Sequence, residues 1–335
     1  MSSISTGGLL RRPEAGAALG LLAVLIFFAI FGGLTFLKPG GMASWLNVAA
    51  NLGVIAIPLG LLMISGELDI SVGAMVPFGA MTVAVISGHY GMPIWIGIAA
   101  ALGFGVIVGL VNGILVIKTA VPSLIVTLGS LFAVQGIVLG LTVLITKSTS
   151  VALVTEGPAK AIFGDFVLGG QLQVMVLWWM GLTAVYVFFV HFSPFGNWIF
   201  AMGGDKVSAR NAGIPTDRLT MILFVLSATS AAFVGMCQAI LYNSAQVAGG
   251  QSFIFNSIIA VVVGGVLLTG GFGSVVGIFF GTITFAVVTQ GIYYTDFDRN
   301  WSSLIIGVLL LGAVLMNNTF RSMALSYAPK KGGKA

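Results

Sequence analysis

Long apolar runs, each broken by only a few polar residues, dominate this chain of 335 residues. About 20 apolar residues in a helix are enough to cross a lipid bilayer. Only 7% of the residues are charged and 58% are hydrophobic, which is more apolar surface than one water-soluble core can bury. We therefore expect an all-α polytopic membrane protein. Ten runs approach the required length: 16–36, 47–66, 72–89, 93–116, 122–145, 171–191, 219–243, 254–270, 272–294 and 300–318.

The first run follows Arg11 and Arg12 and is longer than the hydrophobic part of a secretory signal, which spans about 7–15 residues. No clear small-residue cleavage site follows it, so we expect it to be kept as the first span. The single Cys237 excludes a disulfide within the chain, and its apolar neighbours indicate a packing role.

The distribution of lysine and arginine predicts which side of the membrane each loop faces. With the N-terminus inside and ten alternating spans, ten of the 14 basic residues lie inside and four lie outside. Both termini are then cytoplasmic, with tails at about 1–15 and 319–335, and the longest inside loop covers about 192–218. One transmembrane domain is expected to occupy the whole of 1–335.

The long inside loop gathers charge in a chain that has little of it. Five charged residues fall within its stretch AMGGDKVSARNAGIPTDR, at 201–218. The pattern predicts a short helix over Asp205–Ala212, with Gly213 as the stop signal and Pro215 just beyond it. A solvated connection would also explain the charge, but a short helix at the cytoplasmic face suits docking to a soluble partner.

Signatures of soluble enzymes are absent from the sequence. It contains no G-x-x-x-x-G-K-[ST] loop for ATP, no H-E-x-x-H zinc motif and no G-x-S-x-G nucleophile. His89 and His191 stand alone at the ends of spans. The basic residues form no stripe interleaved with aromatic residues, so nucleic acid is not an expected partner. We expect no catalytic residue, metal ligand or cofactor in this chain.

Uncharged polar residues are scattered through the apolar runs, and two carboxylates lie between runs in SGELDISVG at 65–73. Those carboxylates, Glu67 and Asp69, are expected at the inner water interface, with Asp69 placed to cap the helix that begins near Val72. A path lined by neutral donors and acceptors suits an uncharged, polyhydroxylated solute, although hydrogen bonds between helices explain several of these residues equally well. The candidate path residues are Glu67, Asp69, Ser71, Asn112, Thr127, Gln135 and Asn256.

Two glycine-rich stretches suggest an internal repeat. GFGVIVGLVNG at 103–113 and GFGSVVGIFFG at 271–281 share six of eleven residues at an offset of 168. In the ten-span topology they belong to spans that run in opposite directions, as in the inverted repeats of many transporters. Chance similarity of glycine-rich apolar sequence is the alternative. In each stretch glycine recurs every four residues, which predicts a face for close helix packing.

Four motifs, in order along about residues 45–320, resemble the membrane permeases of bacterial ABC importers for simple sugars, the ribose permease family. Each motif is weak alone, and the set is specific. They are SGELDISVGA at 65–74, VPSLIVTLGSLFAVQGI at 121–137, AMGGDKVSARNAGI at 201–214 and VVVGGVLLTGGFGSVVGIFFG at 261–281. The departures from the family pattern bear on the substrate rather than on membership. They are Asp205 where Asn is usual, Leu267, Thr269 and Phe272 where Ser, Ser and Arg are common, and Ile254 and Asn256 where Glu and Asp are often seen.

This resemblance implies a type II ABC importer permease of about ten helices, like the vitamin B12 permease. It implies a location in the bacterial inner membrane, a second permease copy, identical or not, a periplasmic sugar-binding protein, and cytoplasmic ATPase subunits that bind the ATP and magnesium. Gly203–Gly213 would be the coupling helix that enters a groove of the ATPase, with Arg210 facing the ATPase and Gly204 allowing the tight entry. The candidate coupling residues are Gly203, Gly204, Asp205, Lys206, Ala209, Arg210 and Gly213.

Two alternatives stand beside a permease for a pentose or hexose. A permease for branched-chain amino acids belongs to the same superfamily, and the motif at 261–281 favours sugars over it. A secondary transporter or channel would move its solute without an ATPase. The absence of a chain of buried carboxylates, such as a proton-coupled carrier has, argues against that class.

Reporter fusions test the predicted sidedness. A fusion after Ala335 is expected to report from the cytoplasm and a fusion within 155–165 from the periplasm, because this arrangement leaves ten of the 14 basic residues inside. A cytoplasmic signal from the second fusion would contradict the ten-span topology.

Overall fold

The computed structural model describes residues 13–119, 121–301, 303–312 and 314–315, and most of these residues are helical. The expected all-α polytopic class is confirmed. Residues 1–12 of the predicted N-terminal tail and the whole predicted C-terminal tail, 319–335, lie outside the described residues. The helices are α1 (Pro13–Phe31), α2 (Gly33–Leu37), α3 (Pro39–Ile64), α4 (Val72–Val83), α5 (Ile94–Thr119), α6 (Ser123–Thr146), α7 (Pro158–Phe163), α8 (Met175–Phe192), α9 (Pro194–Gly204), α10 (Lys206–Asn211), α11 (Thr216–Tyr242), α12 (Gln251–Val263), α13 (Val275–Gly291) and α14 (Ser303–Gly312).

Short turns and two small strand pairs complete the architecture. A π-helical turn, Ala84–His89, extends α4. Strand β1 (Ser150–Ala152) pairs antiparallel with β4 (Ser244–Gln246), so it joins the C-terminal ends of α6 and α11. Strand β2 (Phe166–Val167) pairs with β3 (Leu172–Gln173) in the connection between α7 and α8.

Eight helices of the described part of the chain are long and apolar enough to cross a bilayer. The predicted span 254–270 corresponds to a shorter apolar helix, α12. Only part of the predicted span 300–318, including α14, lies within the described residues. Helix α12 has 13 residues and is about 20 Å long, whereas the hydrocarbon core is about 30 Å thick. The class therefore holds, while ten full-length spans are not confirmed.

Four helices form the inside of the bundle. In α3, α4 with its π-turn, α11 and α13, between 67% and 83% of the most apolar 18 residues are buried, against 22–28% in α1, α5, α6 and α8. The outer helices leave large apolar side chains such as Ile107, Phe132 and Phe188 exposed. Such an outer surface is suited to lipid rather than to water.

Glycine brings α5 and α11 together, as the four-residue spacing predicted. A Cβ atom on Gly105, Gly109 or Gly113 would lie within 2.8 Å of an atom in α11. The related set at 273, 277 and 281 is different, because Gly273 lies in a loop before α13. The two stretches of the suggested repeat therefore begin in different local structures, and the inverted repeat stays a prediction.

The stretch 264–274 is a loop, where the sequence suggested the end of one span at 270 and the start of the next at 272. Three of its glycines adopt left-handed conformations, with φ of 91° at Gly265, 81° at Gly270 and 74° at Gly271. Helix α13 then begins where the Ser274 hydroxyl oxygen accepts a hydrogen bond from the Gly277 N–H at 2.9 Å. Hydropathy missed this loop because the loop is itself apolar.

Two substitutions in one helix test the packing of α5 on α11. On Gly109 a Cβ atom would lie 2.5 Å from the Val225 Cα, whereas on Gly103 it would meet nothing within 4 Å. Gly109→Ala is expected to destabilise the fold by about 1–3 kcal/mol through overpacking. Gly103→Ala should be neutral or stabilise it by up to about 1 kcal/mol. Thermal unfolding in detergent measures both, and equal melting temperatures would contradict the close packing.

Candidate functional site

Three segments that are distant in sequence touch backbone to backbone at one place, which we call the backbone junction: 64–66, 203 and 270–271. The Gly271 N–H donates a hydrogen bond to the Ile64 carbonyl oxygen at 2.8 Å. A Cβ atom on Gly203 would lie 1.8 Å from that oxygen and 2.4 Å from the Gly271 nitrogen. No side chain fits there, so glycine at position 203 is a steric requirement.

The neighbouring glycine has no such role. A Cβ atom on Gly204 would meet nothing within 4 Å. The expectation that Gly204 allows the tight entry into α10 is therefore wrong, because the crowded position is one residue earlier. The sequence alone does not separate the two, since the atoms that crowd Gly203 belong to segments more than 60 residues away.

Helix α10 is closed at both ends by local hydrogen bonds, and it matches the short helix predicted over Asp205–Ala212. At its start, the Asp205 Oδ1 atom accepts from the Ser208 N–H at 2.5 Å. At its end, the N–H groups of Gly213 and Ile214 donate to two carbonyls of the last turn at 2.9 and 3.1 Å. The φ of Gly213 is 86°, which explains why glycine stands at this stop.

The N-terminal cap uses Asp205, where the resembling family usually has Asn. The hydrogen bond from the Ser208 backbone N–H lowers the pKa of Asp205. A lowered carboxyl pKa means that the cap stabilises the helix above the ordinary pKa of aspartate and loses this effect as the pH falls through the lowered value. The cap is therefore fully formed at neutral pH. Asp205 caps the helix although the resembling family usually has Asn at this position.

One face of α10 is packed and the opposite face is free in the described chain. Ala209 is buried and packs with Met202 of α9 and Leu219 of α11. Val207 is 68% exposed. The sequence analysis did not predict a role for Val207. The one feature that could have pointed to it is that it is an apolar, β-branched residue within a charged loop.

Both cations of α10 are paired within the chain. The Lys206 Nζ atom lies 2.6 Å from the Glu67 Oε1 atom, and the glutamate side chain is only 13% exposed. Arg210 forms an ion pair with Asp217 and donates from Nε to the Thr216 hydroxyl oxygen at 3.1 Å. Lys206 thereby ties α10 to the segment after α3, and the partner of Glu67 is a side chain of α10.

A hydrogen-bonded group, here called the buried polar cluster, joins α4, α5 and α6 through Asp69, Ser71, Asn112 and Ser130. The Asp69 Oδ1 atom accepts from the Ser71 N–H at 2.9 Å and from the Ser71 hydroxyl at 2.6 Å. The Asn112 amide donates to the Ser71 hydroxyl oxygen at 3.0 Å, and the Ser130 hydroxyl donates to the Asn112 Oδ1 atom. Asp69, Ser71 and Asn112 are fully buried.

Asp69 therefore does not lie at the water interface, and that expectation is wrong. It also binds Ser71, the residue that precedes α4, rather than an N–H within the helix. Its Oδ2 atom has no hydrogen bond within the part of the chain that the structure describes, although the Ser227 hydroxyl of α11 lies beside the carboxylate. The aspartate fixes the conformation of the residues that lead into α4. The polar groups around it come from α5, α6 and α11.

The segment between α3 and α4 is also fastened to the first turns of α6. The Leu68 N–H donates to the Ser123 hydroxyl oxygen at 3.0 Å, and the Ile70 N–H donates to the Thr127 hydroxyl oxygen at 3.3 Å. Thr127 is fully buried and so serves to hold this segment. Four of the candidate path residues, Asp69, Ser71, Asn112 and Thr127, thus come together as a structural network.

Two adjoining cavities lie between α4, α6, α11 and the segment 244–252. The first has a volume of about 410 Å³ and the second about 280 Å³, and they share Pro77, Ala248 and Gly249. Gln135 of α6 is the one candidate path residue that lines them, because Asn256 and the buried polar cluster do not. The first is lined by Gly73, Pro77, Gln135, Leu139, Val247, Ala248, Gly249, Gly250, Gln251 and Ser252.

Residues 41–314 match the family described as "Branched-chain amino acid transport system / permease component". This match includes the backbone junction, α10 and both cavities. The chain belongs to this permease family. Members are transport components of ABC importers, so the permease is not an enzyme. No solved structure matches it.

Several curated relatives of the permease are named for sugars. The fructose import permease of Rhizobium meliloti is 28% identical over 321 residues, covering 93% of this chain and 87% of the relative. The ribose import permease of Escherichia coli (strain K12) is 28% identical over 304 residues, covering 89% and 92%. The galactose/methyl galactoside import permease of the same strain is 28% identical over 351 residues, covering 99% and 100%.

Two substitutions at Asp69 test its structural role. Asp69→Asn keeps an oxygen that accepts from Ser71 and is expected to leave the melting temperature nearly unchanged. Asp69→Leu leaves the buried N–H and hydroxyl of Ser71 without this acceptor, which should cost about 1–3 kcal/mol. Asp165→Leu is the control, because Asp165 accepts its bond in an exposed loop. A melting temperature of Asp69→Leu equal to that of Asp165→Leu would show that the cluster does not hold the helices.

Proposed function

We propose that this permease imports an uncharged monosaccharide, of pentose or hexose type, across the inner membrane of a bacterium. The names of its relatives support the sugar class. In this proposal a periplasmic binding protein delivers the sugar, a second permease copy completes the path, and separate ATPase subunits hold the ATP and magnesium. Both termini lie in the cytoplasm.

The observation that carries the coupling part of the proposal is helix α10. A six-residue helix has little stability of its own, yet this one is capped at both ends and packed on one face. Its free face presents Val207 and the exposed part of Arg210. A rigid, short, exposed helix of this kind suits insertion into a groove of an ATPase.

Contacts lead from this helix to the cavities. Lys206 and the backbone junction connect α9 and α10 to the segment 64–71. That segment is hydrogen-bonded to α6 through Ser123 and Thr127, and it leads directly into α4. Helices α4 and α6 supply walls of the larger cavity. In this proposal, movement of α10 by an ATPase is passed to the cavity walls through these packed groups.

The cavities favour a sugar over a branched-chain amino acid. An amino acid at neutral pH carries an ammonium and a carboxylate, and burying each needs a charged or strongly polar partner. No Asp, Glu, Lys or Arg is among the described residues that line either cavity. Neutral hydroxyl groups need only the neutral donors and acceptors that are present there.

Substitution of Val207 tests the docking of α10. Val207→Asp places a charge on the free face and removes an apolar contact worth about 1.5–3 kcal/mol when buried, so retention of the cognate ATPase should fall at least tenfold. ATP-dependent uptake of labelled D-ribose, D-xylose, D-fructose and D-galactose should fall with it. Co-purification and uptake by the complete transporter in proteoliposomes measure the two effects.

The matched control is Val154→Asp. Val154 is 81% exposed and lies on the side predicted to be periplasmic, so the same change there should leave ATPase retention unaltered. Equal retention by all three proteins would show that α10 does not dock the ATPase. Uptake of labelled leucine by the wild type, with uptake of none of the four sugars, would overturn the sugar assignment.

A further inference from the structure

The two cavities lie beside a break in the helical structure. Helix α11 ends at Tyr242, and the chain then runs as strand β4 and an irregular stretch to Gly250 before α12 begins. Irregular backbone among membrane helices is tolerated where it is buried in protein or lines a water-filled space. Here the stretch 244–252 contributes to the walls of both cavities.

The position of this stretch is fixed against α4. A Cβ atom on Gly250 would lie 1.8 Å from the Gly73 carbonyl oxygen and 2.5 Å from the Pro77 Cδ atom. A Cβ atom on Gly73 would in turn lie 2.3 Å from a side-chain atom of Ile254 in α12. The start of α12 is thus held against the cavity wall. Gly250 is the residue before α12. Since glycine has no side chain, it gives the first N–H groups of α12 no side-chain hydrogen-bond acceptor.

The chemistry of the lining is uniform. Its polar side chains are uncharged, and four of them are carboxamides. A carboxamide donates and accepts hydrogen bonds, as does each hydroxyl group of a sugar. Gln238 is already oriented, because its amide donates to the Asn51 Oδ1 atom of α3 at 3.2 Å. The polar lining residues are Gln135, Gln238, Gln246, Gln251, Tyr242, Ser244 and Ser252.

The volume also fits a small solute. Pockets that bind small molecules commonly measure about 300–1,000 Å³ and combine apolar walls with a few convergent polar groups. The larger cavity, at about 410 Å³, lies within this range, and the smaller one adjoins it. Helices interrupted by irregular backbone are a frequent way to build solute sites in transporters.

We propose that these adjoining cavities hold the uncharged sugar during its passage, with the side chains of Gln135, Gln246 and Gln251 binding its hydroxyl groups. Gln135 of α6 and Gln251 of α12 line the larger cavity, and Gln246 of strand β4 lines the adjoining smaller one. This assignment rests on the proposed function, because it presupposes that a sugar is the solute. Gln246 and Gln251 were not among the residues that the sequence suggested.

The test compares Gln135→Leu and Gln251→Leu with Gln290→Leu in the complete transporter. Gln290 lies at the end of α13 and lines neither cavity, so it is a matched control for the same change in side chain. Loss of one hydrogen bond should lower kcat/KM for uptake about three- to tenfold at the cavity positions. It should also change the relative rates for labelled D-ribose, D-xylose, D-fructose and D-galactose, which a merely structural defect would lower together.

Cysteine labelling gives a second measurement on protein that is already folded. Cys237 is only 2% exposed, so a cysteine introduced by Gln246→Cys or Gln251→Cys can be modified selectively. A charged, membrane-impermeant thiol reagent is expected to block uptake in these two variants and to leave Gln290→Cys unaffected.

The outcomes separate the two proposals. A wild type that takes up leucine and none of the four sugars overturns the proposed function and the cavity assignment with it. A wild type that transports a sugar, together with cavity variants that keep its rate and selectivity and resist the thiol reagent, overturns the cavity assignment alone. Loss of rate and changed selectivity confined to the cavity positions support it.

Discussion

The hydrogen bond from the Gly271 N–H to the Ile64 carbonyl oxygen is the contact on which the position of α9 and α10 depends. That carbonyl is at the end of α3, where helix geometry leaves it without an intrahelical partner. In an apolar bundle an unpaired carbonyl is costly, so the partner must come from elsewhere in the chain. A loop of glycines supplies it, and Gly203 can pass beside the bond only because it has no side chain. Because Gly203 lies so close to Ile64 and Gly271, the path of the chain from α9 into α10 is fixed. This path in turn places Lys206 beside Glu67.

The buried polar cluster shows why residue type alone does not identify a transport path. Asp69, Ser71 and Asn112 have the chemistry that would bind a sugar, but they are fully buried and hydrogen-bonded mainly to one another. Gln135 has similar chemistry on α6, and it lines an open cavity. Whether such a residue is hydrogen-bonded inside the protein or lines a cavity depends on the partners that neighbouring helices supply. The sequence around the residue does not reveal those partners.

Features set by nearby residues could be predicted from the sequence. Helix α10 is an example, because the Asp205 cap and the Gly213 stop both lie within a few residues of it. The glycine face of α5 is another, since a period of four residues fixes which positions share a face. The full extent of the loop 264–274, the burial of Asp69 and the crowding of Gly203 could not be predicted, although the short break TGGFGS marked a possible bend. Each depends on segments that are far away in the sequence, and hydropathy does not distinguish an apolar loop packed in protein from an apolar helix in lipid.

The pairing of β1 with β4 ties together the ends of two long helices, α6 and α11, while their other ends have no comparable backbone link among the described residues. The ladder also packs against the π-helical turn, where a Cβ atom on Gly88 would lie 2.2 Å from the Ala152 carbonyl oxygen. A tied end acts as a pivot, so displacement of α6 grows with distance from the ladder. Over its 24 residues, about 36 Å, a tilt of about 10° would move the far end by about 6 Å. The far end of α6 is hydrogen-bonded to the segment 64–71 through Ser123 and Thr127, so a shift of that segment would tilt α6 about the ladder.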